Sequence, residues 1–408
     1  MARYIVKRLV QMALTLWIFL TLIFFILYLP PGDYTDIYLD NPQITPEARE
    51  QIREQLGLDQ PRWPLYLRYL SNFFQGNLGD SFKEYPRHVW DIIVERMPRT
   101  VLLFVTASVL SFYLGFVLGK WIGWRRGALL EYLATVTGVF FWTVFTPWFA
   151  LFLIWIFAFH LGWFPLGHFI DYQIWTAVDA VAGIRCEGLG ATACTNYVFN
   201  QLIGTAFAWV LSWGVAFWIS LKFAARPARR VVLSLALALI VVGTVTYWTL
   251  AVGSVQAGGR SLTMIHLAWD ILYHMILPVL TLTLISFAGT MLLMRSTMLE
   301  SLREDYIMVA RAKGLPDQIV RDRHAARNAL LPVTTYFVIG LALSIDGSIF
   351  IEKAFSWPGM GLTLLNSAID RDYPMAIGAL VFTGVFALIA HWVADVLYAY
   401  LDPRIKYG

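Results

Sequence analysis

Asp305-Tyr306-Ile307-Met308-Val309-Ala310-Arg311-Ala312-Lys313-Gly314-Leu315-Pro316 opens a charge-rich segment that runs to Leu330-Leu331-Pro332. It is the longest such segment between two clearly apolar runs. Leu299, Leu302, Tyr306, Val309 and Ala310 recur at helical spacing, which predicts one apolar and one charged helix face. Gly314 suits the left-handed residue just past a helix end, and Pro316 forbids continuation. A second helical pattern begins with Pro316, Asp317 and Gln318, residues that first turns favour. The segment reads as two short helices with a break, lying on a membrane surface and shaped to be gripped by something else.

Composition agrees with a membrane setting. The chain is 58% hydrophobic and only 14% charged, against about 25% charged in soluble domains. Its mean hydropathy is +0.62. A soluble fold cannot hide that much apolar surface. The 17 Trp and 19 Tyr fit aromatic belts at two interfaces. The net charge of +4 is modest and the Lys and Arg lie in loops, so they read as topology signals rather than a nucleic-acid footprint.

Outward from the quoted stretch, apolar runs long enough to span a bilayer fall at 9–29, 100–119, 133–158, 203–221, 231–253, 271–294, 330–351 and 376–398. The first is too long for a signal-peptide core and is expected to be retained. Eight spans put both termini on one side. The segments that then lie inside, 1–9, 120–132, 222–230, 295–329 and 399–408, hold more than half of the 31 Lys and Arg. The positive-inside rule therefore puts both termini and the quoted stretch in the cytoplasm. Gly115, Gly119 and Gly123, four residues apart, would let another helix approach closely.

Residues 30–99 form a polar excursion. Thr45-Pro46-Glu47 is a helix start. Trp63, Leu65, Tyr66, Leu67, Tyr69, Leu70, Phe73 and Phe74 mark an aromatic-rich helix too short to span. It either lies along the interface or caps the outer mouth.

No phosphate-binding Gly-x-x-x-x-Gly-Lys-Ser/Thr stretch is present, nor His-Glu-x-x-His, a dinucleotide fingerprint or a nucleophile elbow. Uphill movement of a solute would draw its energy from another chain or an ion gradient. Ionisable groups at membrane depth are costly, which singles out Asp346 as lining a solute path, as a structural hydrogen-bonding group, or as an ion-coupling acid. Ser344 and Glu352 join it as candidate path residues. His274, His391 and Asp395 sit near span ends and read as interfacial or packing groups; no His spacing suggests a metal site.

Tyr306-Ile307-x-x-Ala310-Arg311-Ala312-Lys313-Gly314-Leu315, followed by Arg327-Asn328-Ala329-Leu330-Leu331-Pro332, resembles the coupling loop of ATP-binding-cassette importer permeases. The match is to the dipeptide, oligopeptide and nickel family, first permease subunit type. The general importer loop begins Glu-Ala-Ala where this chain has Met308-Val309-Ala310, and the Ala-Arg-Ala-Lys-Gly form is the peptide-type variant. Further family signatures follow in order: Gly76-Asn77-Leu78-Gly79-Asp80-Ser81, Arg96-Met97-Pro98-Arg99-Thr100, Glu352 to Gly361, Asp370-Arg371-Asp372-Tyr373-Pro374 and Asp402-Pro403-Arg404-Ile405.

The resemblance covers roughly residues 1–168 and 266–408 and implies an all-α polytopic membrane protein with six family spans and a cytoplasmic coupling helix; the two further apolar runs between those parts read as a two-helix insertion. Residues 1–29 would be the tail and first span, 30–99 an extracytoplasmic helical segment, and 100–168 the second and third spans. Residues 169–265 would be the insertion, its two helices facing lipid or a partner subunit. Residues 266–408 would be the permease core, with coupling loop 296–329 and the last three spans. The implied function is a permease subunit of an ATP-driven peptide importer in a bacterial or archaeal inner membrane, with no ATP site of its own. Implied partners are a second related permease, two ATPase subunits carrying ATP and Mg, and an extracytoplasmic solute-binding protein. In this reading Tyr306, Ile307, Ala310, Arg311, Ala312, Lys313, Gly314 and Leu315 engage the ATPase. Ala310, Ala312 and Gly314 allow close backbone approach, and Arg311 and Lys313 pair with acids or carbonyls there. The rival is an ion-coupled carrier or channel acting without an ATPase, with Asp346 as its coupling acid.

Cys186 and Cys194 fall in a loop expected on the outer, oxidising side, with Gly188 and Gly190 between them. A disulfide is expected; two free thiols are the alternative. Alkylation without reduction followed by mass spectrometry should leave both cysteines unmodified, and recovery of two alkylated cysteines refutes the bridge.

Overall fold

The computed structural model describes residues 2–28, 61–176 except 126 and 128, 180–181, 184–185, 195–206, 208, 240, 243–244, 255–257, 260–262, 264–343 and 348–401. It divides into two compact units, Met1–Leu153 with Pro278–Gly408, and Ile154–Leu277.

In the first unit, α1 (Ala2–Tyr28) and α2 (Arg62–Phe74) precede α3 (Val89–Trp124). After them come α4 (Leu129–Thr143) and α5 (Thr146–Leu153). Among the described residues, the helices long and apolar enough to cross a membrane contain Val10–Leu27, Val89–Trp124 and Ile265–Ser301.

Helix α3 begins eleven residues before the expected span start at 100, inside the expected excursion. At about 1.5 Å per residue its 36 residues exceed a roughly 30 Å hydrocarbon core. Its first turns are therefore a helical extension that hydropathy cannot separate from a loop. Pro98 is accommodated inside this helix.

The expected third span, 133–158, is not one straight helix. It breaks between Thr143 and Thr146, and the two arms meet at 105°. Pro147 has no N–H to return to the Thr143 carbonyl, yet it suits the first turn of a new helix.

α6 (Met264–Ser301) carries Pro278 within it. The face of α3 that meets α6 is its glycine stripe. A Cβ on Gly115 would come within 2.6 Å of the Phe287 carbonyl oxygen, and one on Gly119 within 2.5 Å of the Met291 carbonyl oxygen. On Gly123 it would lie 2.9 Å from the Met298 Cβ. The helices thus touch backbone to backbone, where added carbon has nowhere to go.

α7 (Asp305–Ala312) and α8 (Asp317–Ile319) follow, the latter running through a π-helical turn, Val320–Ala325, into α9 (Ala326–Leu343). α10 (Ile349–Ala354), α11 (Met360–Ile369) and α12 (Tyr373–Leu401) complete the unit. Helix α2 packs on α1 and α12: Tyr66 lies with Leu20, Ile23, Phe24, Ile377 and Val381, and its hydroxyl is 2.7 Å from Thr21 Oγ1.

The second unit contains most of the expected insertion 169–265. Asp270 Oδ2 accepts from the Asp171 N–H at 3.0 Å and from Trp175 Nε1 at 2.9 Å. Residues 195–206 are helical. Two short antiparallel hairpins, Ala180–Val181 with Ile184–Arg185 and Val255–Ala257 with Arg260–Leu262, lie in this unit, while the protein as a whole is the helical membrane fold expected. Most of the expected spans 203–221 and 231–253, with Cys186 and Cys194, lie outside the described residues.

Overpacking at a close helix contact costs about 1–3 kcal/mol. Gly119→Leu should therefore lower the thermal midpoint of the purified protein. Gly340→Ala, with open space around it, should leave that midpoint unchanged. Equal midpoints for the two variants would show that the glycine stripe is not a tight contact.

Candidate functional site

The charged stretch folds as a handle over residues 305–325. Asp305 supplies the acidic first turn of α7 and Arg311 the basic last turn. Gly314 ends it with φ +71°, a conformation that costs other residues a Cβ clash.

The handle is fixed by an apolar seam. Ile307 and Ala310, 2% and 3% exposed, pack into a core with Met294, Met298, Val320, Ala325, Ala326, Ala329 and Val333. Tyr306 and Leu315 are half-buried against the same core. Ser301 Oγ is 2.5 Å from the Tyr306 hydroxyl and donates to the Ala325 carbonyl at 3.1 Å. Thr297 Oγ1 lies 3.1 Å from the Ala329 carbonyl oxygen. The last turns of α6 therefore hold both limbs of the handle.

The opposite face is open. Met308 and Val309 are 69% and 52% exposed, and Arg311, Ala312, Lys313 and Gly314 are exposed beside them. This corrects two expectations. Val309 points outward rather than into the apolar face, because the seam accepts Ile307 and Ala310. Ala310 sits in its own chain's core rather than on the open face. Met308 and Val309 form an exposed apolar pair, of which periodicity had placed Val309 on the buried side.

Charged groups tie the handle to α3. The Arg311 guanidinium lies 5.8 Å from the Trp124 ring centroid. Lys120 Nζ is 3.2 Å from Asp322 Oδ1, and Arg321 pairs with the same carboxylate at 2.9 Å. The hydrogen bond from Arg321, with Lys120 adding to it, holds the Asp322 carboxyl down at about 2.

At the far end of α3, four of the sequence signatures converge on a polar cluster. Asp372 accepts from Ser81 Oγ at 2.5 Å and from the N–H groups of Phe82 and Lys83 at 3.0 and 3.2 Å. Trp357 Nε1 donates to the Arg99 carbonyl at 3.2 Å. Glu352, expected on a solute path, is fully enclosed in this chain. Its Oε1 accepts from Thr100 Oγ1 at 2.8 Å and its Oε2 from the Leu362 N–H at 2.7 Å. Burial pushes its carboxyl up to about 7, against the donors that favour the charged form. Gly359 leaves room for that carboxylate, since a Cβ there would collide with it, and a Cβ on Gly361 would crowd the Ile349 backbone at 3.0 Å. Ser344 and Asp346 lie outside the described residues.

Comparison with known proteins agrees with this arrangement. Residues 111–407 match the family described as binding-protein-dependent transport system inner membrane component, and residues 1–104 match its N-terminal segment. The oligopeptide transport system permease protein AppB of Bacillus subtilis is 29% identical over 408 residues, covering all of both chains. The dipeptide transport system permease protein DppB of Escherichia coli K12 is 28% identical over 409 residues, covering all of this chain and 99% of its own. OppB, the oligopeptide transport system permease protein of Haemophilus influenzae, is 27% identical over 411 residues, with complete coverage of both. This chain belongs to the family of binding-protein-dependent transport system inner membrane components, and it is a multi-pass membrane permease.

Proposed function

We propose that the chain is the permease subunit of an ATP-driven importer of peptides, worked from the cytoplasm through the 305–325 handle. The names of the relatives support the peptide class. The observation that carries the reading is the two-sided handle: Ile307 and Ala310 are buried, while Met308 and Val309 stand out in solvent between Arg311 and Lys313. Such a pair suits a partner cleft with apolar walls and acidic or carbonyl acceptors at its rim. Both termini are then cytoplasmic. A second permease chain completes the path, two ATPase subunits hold ATP and Mg, and an extracytoplasmic binding protein delivers solute. This chain contributes no catalytic group.

In this reading, closure of the ATPase pair on ATP displaces the handle. The handle is bonded to the end of α6 by Ser301 and Thr297 and to α3 by Lys120. Its displacement therefore tilts both helices and shifts the population from inward-open to outward-open. The shift is limited by the difference in ATPase affinity for the two states.

Burying a Met or Val side chain contributes about 1.5–3 kcal/mol, or roughly tenfold in affinity per 1.4 kcal/mol. Met308→Asp and Val309→Asp should each weaken ATPase association by about tenfold or more, and Gly314→Trp should block it. All three variants can be checked in one preparation, by co-purification of the ATPase and by its stimulation through the binding protein. Persistence of stimulation and uptake in all three variants refutes the role of the handle. Uptake by this chain alone under an ion gradient supports the carrier instead.

A further inference from the structure

Helix α4 is joined to the rest of its unit along a single narrow seam. Its buried residues are Glu131 and Gly138, two turns apart. Ala134 and Phe141 continue that stripe and pack half-buried against Ile122, Phe287 and Met291. Gly138 sits under the Met291 side chain, so close that a Cβ would meet its terminal methyl carbon at 2.4 Å. Leu129, Leu130, Tyr132, Leu133, Val136 and Val139 are exposed. Beyond Glu131 the seam is apolar apart from the enclosed Thr135 hydroxyl, and Trp142 extends it by packing on Gly289 of α6. At the handle end the Glu131 carboxylate accepts from Arg295 Nε at 2.8 Å and from Arg295 Nη2, and from the Gly127 N–H at 2.6 Å.

Arg295 occupies a particular place on α6. Met294, Thr297, Met298 and Ser301, its neighbours on the same two turns, are the residues that grip the handle. The last turns of α6 therefore hold the handle on one side and α4 on the other. Their link to α4 is an ion pair in which two Arg295 nitrogens converge on one oxygen, Oε1, of Glu131, a residue only 8% exposed. Removing two charges from water offsets most of their attraction, so such a pair adds little net stability. With Oε2 held by the Gly127 N–H, each oxygen of the carboxylate is committed, and that fixes its orientation instead. The remaining seam residues, 134, 138 and 141, would still hold α4 in place without it.

We propose that Glu131 and Arg295 are positioning residues for transport, whose ion pair carries a displacement of the handle into the bent α4–α5 span. The inference rests on the importer reading above. Without the pair, the handle and α6 still move, but the handle end of α4 slips.

The test uses the assembled complex with its ATPases, spin-labelled in pairs at exposed positions and compared with and without vanadate-trapped nucleotide. Leu22 on α1 serves as the reference, since α1 is neither of the two helices that the handle tilts; Leu22 to Ile319 reports the handle, and Leu22 to Val136 reports α4. Both distances should change in the otherwise unaltered protein. In Glu131→Gln the handle change should persist, while the α4 change falls to less than a third of its original size. Arg295→Gln, which keeps the Gly127 bond to Glu131, should behave alike, and the reversed pair E131R with R295E should restore the α4 change. A Leu22 to Ile319 distance that ignores nucleotide in the unaltered protein overturns the importer reading itself. If that distance responds but α4 stays still in the unaltered protein, or follows equally in both single variants, the ion pair is no transmitter and only this inference falls.

Discussion

In the proposed mechanism the handle can move a gate only if the joint between them is stiff, and that joint is the contact of Ile307 and Ala310 with Met294 and Met298. The force available at a two-turn helix is small unless its inner face is fully packed. Ile307, Ala310, Met294 and Met298 are each at most 3% exposed. Two hydroxyls, Thr297 and Ser301, then pin the carbonyls of Ala329 and Ala325, where the return limb passes through its π-helical turn. Methionine suits this joint because its unbranched side chain fills irregular gaps. The same helix end meets the glycine stripe of α3 at backbone distance, so its rotation cannot be absorbed by side-chain adjustment.

The two ends of α3 use different physics. At the handle end it is held by apolar packing and a few ion pairs, including Lys120 with Asp322. At the other end carboxylates replace hydrophobes. Asp372 gathers Ser81 and two backbone N–H groups, and Glu352 gathers Thr100 and the first turn of α11. A buried carboxylate is tolerated when several donors converge on it, and that requirement fixes the donors in turn. Residues far apart in sequence are thereby fastened into one clamp. The two matched family segments meet at residues 104 and 111, within the continuous helix α3, so the boundary between them is not a structural one.

Local chemistry was legible where it acts locally. Gly314 ends α7 because a left-handed residue followed by Pro316 permits little else, and the acid at Asp305 opens it. The glycine spacing at 115, 119 and 123 correctly announced a close helix contact, though not with which helix. Periodicity placed Val309 beside Ala310 on the buried face, whereas the core accepts Ile307 and Ala310, one position later in the turn than Tyr306 and Val309. A two-turn helix offers too few residues for its own pattern to settle the rotation. The break in the third span hid inside an apolar run, since hydropathy is blind to direction and Pro147 was the sole local sign of it.

The apolar lengths of α1, α3 and α6, the handle with its glycine stop and the family signatures follow from the residues alone, because hydrophobic length, proline and glycine act on neighbouring backbone. Which face of α7 is open, the enclosure of Glu352 by Thr100 and Leu362, and the pairing of Glu131 with Arg295 across 164 residues were decided by the tertiary structure. Those depend on what packing brings alongside, and a one-dimensional pattern carries no record of which distant side chain will supply the other half of a contact.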